Sequence, residues 1–172
     1  EGINVNITLI FSIAQYEGVA GAYLDGLERL SKSGGDVGRV ASVASFFVSR
    51  VDTAVDADFE RLGIDRPIAK IGVDNIKLAY GRFREIFRGE RWERLAAKGA
   101  RVQRPLWAST GTKDPLLPDT LYVDSLIGPD TVNTVPPATL RAFLDHGIDA
   151  PTLEAGTEAA RSRLPGLPSL GI

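Results

Sequence analysis

The chain has no cysteine, no methionine, a single histidine (His146) and no apolar run long enough to cross a bilayer. Without cysteine there is no disulfide framework, no thiolate chemistry and no zinc–cysteine site. Neither sign of charge dominates: 20 Lys+Arg stand against 22 Asp+Glu, a net charge of −2. With no run of like charge, neither a nucleic-acid nor a membrane partner is expected. No G-x-G-x-x-G or G-x-x-x-x-G-K-[ST] motif occurs, so a nucleotide-binding fold has little support. No signal peptide is visible, and a cytoplasmic location is expected. The absent methionine means no initiator, so the chain is expected to be part of a longer polypeptide.

What is present is 172 residues, 44% of them hydrophobic, enough for one ordinary domain with a sizeable core. Strand-like runs fall near 3–11, 40–48, 103–109 and 130–135. Between them the period changes. Ile13, Tyr16, Ala20, Tyr23, Leu27 and Leu30 follow helical spacing, and Ser33-Gly34-Gly35 should stop that helix. Residues 52–65 read as a short helical or irregular excursion. A second clear helical pattern runs from Ile68 through Ala69, Val73, Ile76, Tyr80 and Phe83 to Phe87, with shorter ones over 90–98, 137–146 and 153–163. Strands alternating with helices favour a parallel sheet with helical crossovers. Four βα units make about half of a (β/α)8 barrel. Such a half would leave unpaired edges, so the other half is expected in the parent protein.

Polar groups cluster towards the C-terminal end of each strand, where α/β folds place their sites. Asn6 and Thr8, two apart in a strand, should share a face and can meet a polyhydroxylated substrate or hold a water. The alternative is that they satisfy neighbouring backbone. Ser45 and Phe47 share the next strand, Phe47 more as packing than as a ligand contact. Arg50 at its exit suits a phosphate, because the guanidinium fork donates in pairs; the alternative is a surface ion pair with Asp52. Ser109, Thr110, Gly111, Thr112 and Lys113 form a strand-to-loop transition able to wrap an oxyanion, or an ordinary turn before Pro115. His146 ends a helix, where it serves the helix dipole. Trp92 and Trp107 read as packing.

These residues carry a resemblance. Gly-Ile-Asn-Val-Asn-Ile-Thr-Leu-Ile-Phe-Ser (2–12) resembles the fifth barrel strand of class I transaldolases. Ser45-Phe-Phe-Val-Ser-Arg50 resembles the sixth. Arg104-Pro-Leu-Trp-Ala-Ser-Thr-Gly-Thr-Lys-Asp-Pro resembles the seventh in the longer bacterial members. Asp130-Thr-Val-Asn-Thr-Val-Pro-Pro-Ala-Thr-Leu resembles the eighth and its following helix.

The resemblance implies transfer of a dihydroxyacetone unit between sugar phosphates through a lysine Schiff base, in the pentose phosphate pathway. The donor and acceptor would be sedoheptulose 7-phosphate and glyceraldehyde 3-phosphate, giving erythrose 4-phosphate and fructose 6-phosphate. It implies no cofactor and no metal. By position, Asn6 would bond the sugar and Thr8 would orient the catalytic water. Ser45 would contact substrate hydroxyls, Phe47 would line the pocket, Arg50 would bind the phosphate, and Ser109 would assist. Smaller members place an arginine where Gly111 stands here, and Lys113 is the candidate to supply that charge. The Schiff-base lysine would lie upstream of Glu1, since Lys32, Lys70, Lys77 and Lys98 read as helix-surface residues and Lys113 as a loop residue. The chain alone is therefore expected to be inactive. The rival implications are a fructose 6-phosphate aldolase of the same fold and a non-catalytic sugar-phosphate-binding half-barrel.

Overall fold

The computed structural model describes residues 3–65 and 70–170. Four strands, β1 (Val5–Ile10), β2 (Ser42–Phe47), β3 (Arg104–Ala108) and β4 (Val132–Asn133), form one parallel sheet in the order β1-β2-β3-β4. Spatial order follows chain order without the reversal that marks a doubly wound sheet. The β1–β2 crossover is α1 (Ile13–Lys32). Three helices, α2 (Ser49–Leu62), α3 (Ile71–Ile86) and α4 (Glu90–Ala96), join β2 to β3. The short α5 (Leu121–Asp124) precedes β4, and α6 (Pro137–His146) and α7 (Thr157–Arg163) follow it. Ile68 and Ala69, at the start of the second helical pattern, lie outside the described residues.

Local chemistry accounts for the ends of α1. Ser12 Oγ accepts the Gln15 N–H at 3.2 Å while Gln15 Oε1 accepts the Ser12 N–H at 3.2 Å, a capping box. Arg29 and Lys32 occupy the last turn, and Gly34 at φ 79° carries the chain away. One face buries Tyr16, Ala20, Leu24 and Leu27. α2 begins at Ser49, earlier than the 52–65 reading, because the Val48 and Ser49 N–H groups are still held by Ala108 O (3.0 Å) and Ser109 O (3.2 Å) of the β3 exit as the chain turns. α7 covers only Thr157–Arg163 of the 153–163 pattern.

The core lies between the sheet and the helices. Ile10, Ala44, Phe46 and Trp107 face Tyr16, Leu24, Leu27, Ile76 and Phe83. Phe46 is fully buried, with its ring centroid 5.3 Å from Tyr16 and 6.2 Å from Trp107. Trp107 Nε1 donates to Leu126 O at 3.1 Å, and Trp92 packs edge-on against Phe87 at 5.0 Å.

Three details depart from simple periodicity. In β1 the register runs Ile7↔Ala44 and then Ile10↔Phe46, so Thr8 and Leu9 together oppose Ser45 in a bulge. Leu9 takes φ 63°, and the extra residue turns Ile10 into the core. Lys77 is not a surface lysine: it is half-buried, and its Nζ donates to Ala155 O at 2.6 Å and Thr152 O at 3.1 Å. Burial lowers its pKa. Arg163 grips buried Asp74 with two bonds of 2.6 and 2.8 Å, also fastening the C-terminal segment to α3.

Among the described residues, no helix is long and apolar enough to cross a membrane. Removal of the Phe46 ring should lower unfolding stability by about 3–5 kcal/mol, as expected for a buried aromatic cut to alanine. Urea unfolding of Phe46→Ala checks this; a loss below about 1 kcal/mol would mean the site collapses around the gap.

Candidate functional site

The sheet face opposite the core is set by register. Asn6 pairs with Val43, Val43 with Arg104, Ser45 with Leu106, Phe47 with Ala108, and Leu106 with Val132. Residues paired across parallel strands point the same way, so these side chains share one face. That face carries the Asn6 amide near the start of β1 and the Ser45 hydroxyl within β2, and the exits of β2 and β3 add the Arg50 guanidinium and the Ser109 hydroxyl.

Ser45, 2% exposed, donates its hydroxyl to Asn6 Oδ1 at 2.7 Å. The contact joins β1 to β2 by a side-chain bond and fixes the Asn6 carbonyl, so its amide N–H groups remain as donors. Phe47 is half-buried between the Phe11 ring, 5.5 Å away, and the Arg50 guanidinium, whose Cζ lies 4.7 Å from the ring centroid. Arg50 is exposed and aligned by that ring. Ser109 is half-buried just past β3 at φ 59°, a left-handed conformation uncommon for serine. Its Oγ lies 2.7 Å from Ser49 Oγ. Thr110, fully buried, donates to Asn133 Oδ1 at 2.8 Å and so ties the β3 exit to β4.

The ion pair between Arg50 and Asp52 is not what the structure holds. Asp52 is 3% exposed and turned inward, where it accepts the Gly72 N–H at 2.7 Å and the Tyr122 hydroxyl at 2.8 Å. Burial pushes its carboxyl pKa up, against the two hydrogen bonds that pull it down. Tyr122 is raised in turn, by burial first and then by the neighbouring carboxylate. Gly72 has to be glycine here: a Cβ would stand 2.6 Å from Val48 O and 3.0 Å from Asp52 Oδ2. The buried carboxylate thus clamps the start of α2, which carries Arg50, to the start of α3.

Not every candidate joins this group. Thr8 is exposed in the β1 bulge, and among the described residues no hydrogen bond links it to Asn6 or Ser45. Lys113 is exposed in the loop after β3, and no described hydrogen bond or ion pair joins it to Arg50 or Ser109. A Cβ at Gly111 would lie 3.2 Å from Pro136 Cγ, a tight approach that Pro136 would have to ease by a few tenths of an ångström. His146, exposed at the end of α6, also reaches across to Asp119 (Nε2–Oδ1, 2.8 Å) and meets Asp145 (Nδ1–Oδ2, 3.1 Å); these bonds raise its pKa. Ser49 lies within the Ser45-to-Arg50 segment but is given no role by it. Its only signal is its place beside Arg50 at the strand exit.

Chemically the array offers neutral donors and one guanidinium, the complement of a hydroxylated, anionic small molecule. Among the described residues no group of three or more His, Asp or Glu could hold a metal ion. The fold and site together define an α/β protein of consecutive βα units with polar groups on one sheet face and at the exits of β2 and β3. The family model described as Transaldolase/Fructose-6-phosphate aldolase matches residues 1–166, and the chain belongs to that family. It is 55% identical over its whole length to a transaldolase of Acidothermus cellulolyticus, covering 47% of that protein. It is likewise 53% identical to a transaldolase of Parafrankia and 51% identical to one of Thermobifida fusca, covering 48% of each. The chain therefore spans about half the length of the curated relatives it matches.

Asp52 yields a pH prediction with a definite sign. A carboxyl whose folded pKa is raised binds its proton more tightly in the folded state, so its contribution to stability falls as pH rises. The difference in unfolding free energy between wild type and Asp52→Asn should decline from just below the ordinary carboxylate pKa and flatten above the raised one. Urea titrations across that range measure it, and a difference that grows with pH would contradict the assignment.

Proposed function

We propose that the full-length protein is a transaldolase that moves a dihydroxyacetone unit from sedoheptulose 7-phosphate to glyceraldehyde 3-phosphate through a lysine Schiff base. The observation that carries this reading is the set of polar groups on one sheet face, the Ser45–Asn6 bond, Arg50 laid on Phe47 past β2 and Ser109 past β3, in a chain of this family. In it, Asn6 and Ser45 bond the sugar hydroxyls, Phe47 lines the pocket, Thr8 orients the catalytic water, and Arg50 with Ser109 takes the phosphate. Lys113 is the further candidate for phosphate charge, from its loop. The Schiff-base lysine belongs to the other half of the polypeptide, and this chain is the C-terminal half of a (β/α)8 barrel in the cytoplasm, inactive alone.

An open flank of the sheet supports the half-barrel reading. Beside β1, Ile3, Val5 and Leu9 are 66%, 45% and 52% exposed. A groove of about 480 Å³ runs between β1 and α1, lined by Ile3, Val5, Ile7, Val19 and Leu30. An exposed apolar edge strand is the surface that a preceding βα unit would cover. The family description also admits a fructose-6-phosphate aldolase, which would release free dihydroxyacetone in place of transferring it.

Borohydride reduction of the full-length protein with fructose 6-phosphate, followed by peptide mapping, tests the reading. An adduct on a lysine preceding Glu1 is expected. An adduct on Lys113 would move the nucleophile into this half, and retained binding without any adduct would indicate a non-catalytic sugar-phosphate module. Arg50→Ala should raise the KM for phosphorylated sugars by about ten- to a hundredfold, the worth of a lost charge-assisted contact. Thr8→Ala should lower kcat more than it weakens binding; equal effects on both would assign Thr8 to packing.

A further inference from the structure

The contact between Ser49 and Ser109 has no part in the roles assigned above. Ser49, 2% exposed, is the first residue of α2. Its Oγ lies 2.7 Å from Ser109 Oγ, with either able to donate, and its N–H donates to Ser109 O at 3.2 Å. Ser109 is thus held by backbone and side chain at once, in a left-handed conformation with φ 59° that needs such support.

We propose that Ser49 is a positioning residue that aims the Ser109 hydroxyl at the anionic group bound by Arg50. This rests on the reading of Arg50 and Ser109 as phosphate ligands. A serine hydroxyl has one proton and two lone pairs. When Ser109 gives its proton to an anion, its oxygen is left to accept, and the Ser49 hydroxyl is already at bonding distance. Ser49 then donates to Ser109 and Ser109 to the phosphate, each bond polarising the next, with no proton changing owner. Ser49 also immediately precedes Arg50, so one helical turn sets both the charge and the hydroxyl.

The test uses the full-length enzyme with glyceraldehyde 3-phosphate and unphosphorylated glyceraldehyde as alternative acceptors. Ser49→Ala should cut the preference for the phosphorylated acceptor, as a ratio of kcat/KM values, about five- to twentyfold. Because both values come from one preparation, any loss of folded enzyme cancels. Ser109→Ala should cut it at least as much, and the double variant should be no worse than Ser109→Ala alone, since Ser49 acts through Ser109. If Ser49→Ala does not accumulate as folded protein, Ser49→Gly removes the same hydroxyl and is read in the same way. Equal losses on both acceptors, or losses that multiply in the double variant, would overturn the proposal. Arg50→Ala separates the two levels: if it leaves the preference intact, the phosphate reading itself has failed. If it abolishes the preference while Ser49→Ala does not, only the positioning role has.

Discussion

The site depends on the buried carboxylate of Asp52. One oxygen accepts the Gly72 N–H and the other the Tyr122 hydroxyl, so a single side chain holds the first turn of α2, the entry to α3 and the helix α5 together. A buried acid without partners would be costly, and two hydrogen bonds at 2.7 and 2.8 Å make this one tenable. Gly72 permits the approach by having no Cβ. Because Ser49 and Arg50 stand in that same first turn, the clamp fixes where the guanidinium and the Ser49 hydroxyl begin. The raised pKa of Asp52 marks the cost of putting charge there.

The polar groups above the sheet form linked pairs: Ser45 with Asn6, Ser49 with Ser109, Thr110 with Asn133. Each pair spans two adjacent strands or their exits, so hydrogen bonds between side chains repeat the strand order already set by the backbone. Phe47 adds an aromatic surface that orients Arg50 without neutralising it. The guanidinium makes no ion pair with Asp52, so its hydrogen-bond donors are not taken up there.

Much of the α/β arrangement was legible because its signals are local. The spacing of Tyr16, Ala20 and Leu27 marks α1, and Ser12 with Gln15 states its cap in four residues. Trp107 and Trp92 read correctly as packing because aromatic side chains dominate cores. The β1 bulge was not legible: Leu9 adopts a positive φ without a glycine to announce it, and strict alternation assigns Ile10 to the wrong face. Lys77 looked like a surface residue because its partners, the Thr152 and Ala155 carbonyls, lie more than seventy positions away. Ser49 lies inside the Ser45-to-Arg50 segment, but its role does not show there because its partner is 60 residues distant.

The alternation of strands with helices, the polar residues on and just past the strands, and the family to which those residues point can all be read along the chain. These follow from periodicity and short motifs, which need only neighbours along the chain. Only the folded chain shows that Asp52 turns inward and leaves Arg50 unpaired with it, that Pro136 crowds Gly111, and that Ser49 holds Ser109. Those are contacts between segments brought together by the parallel sheet, and hydrogen-bond geometry and steric exclusion act through space.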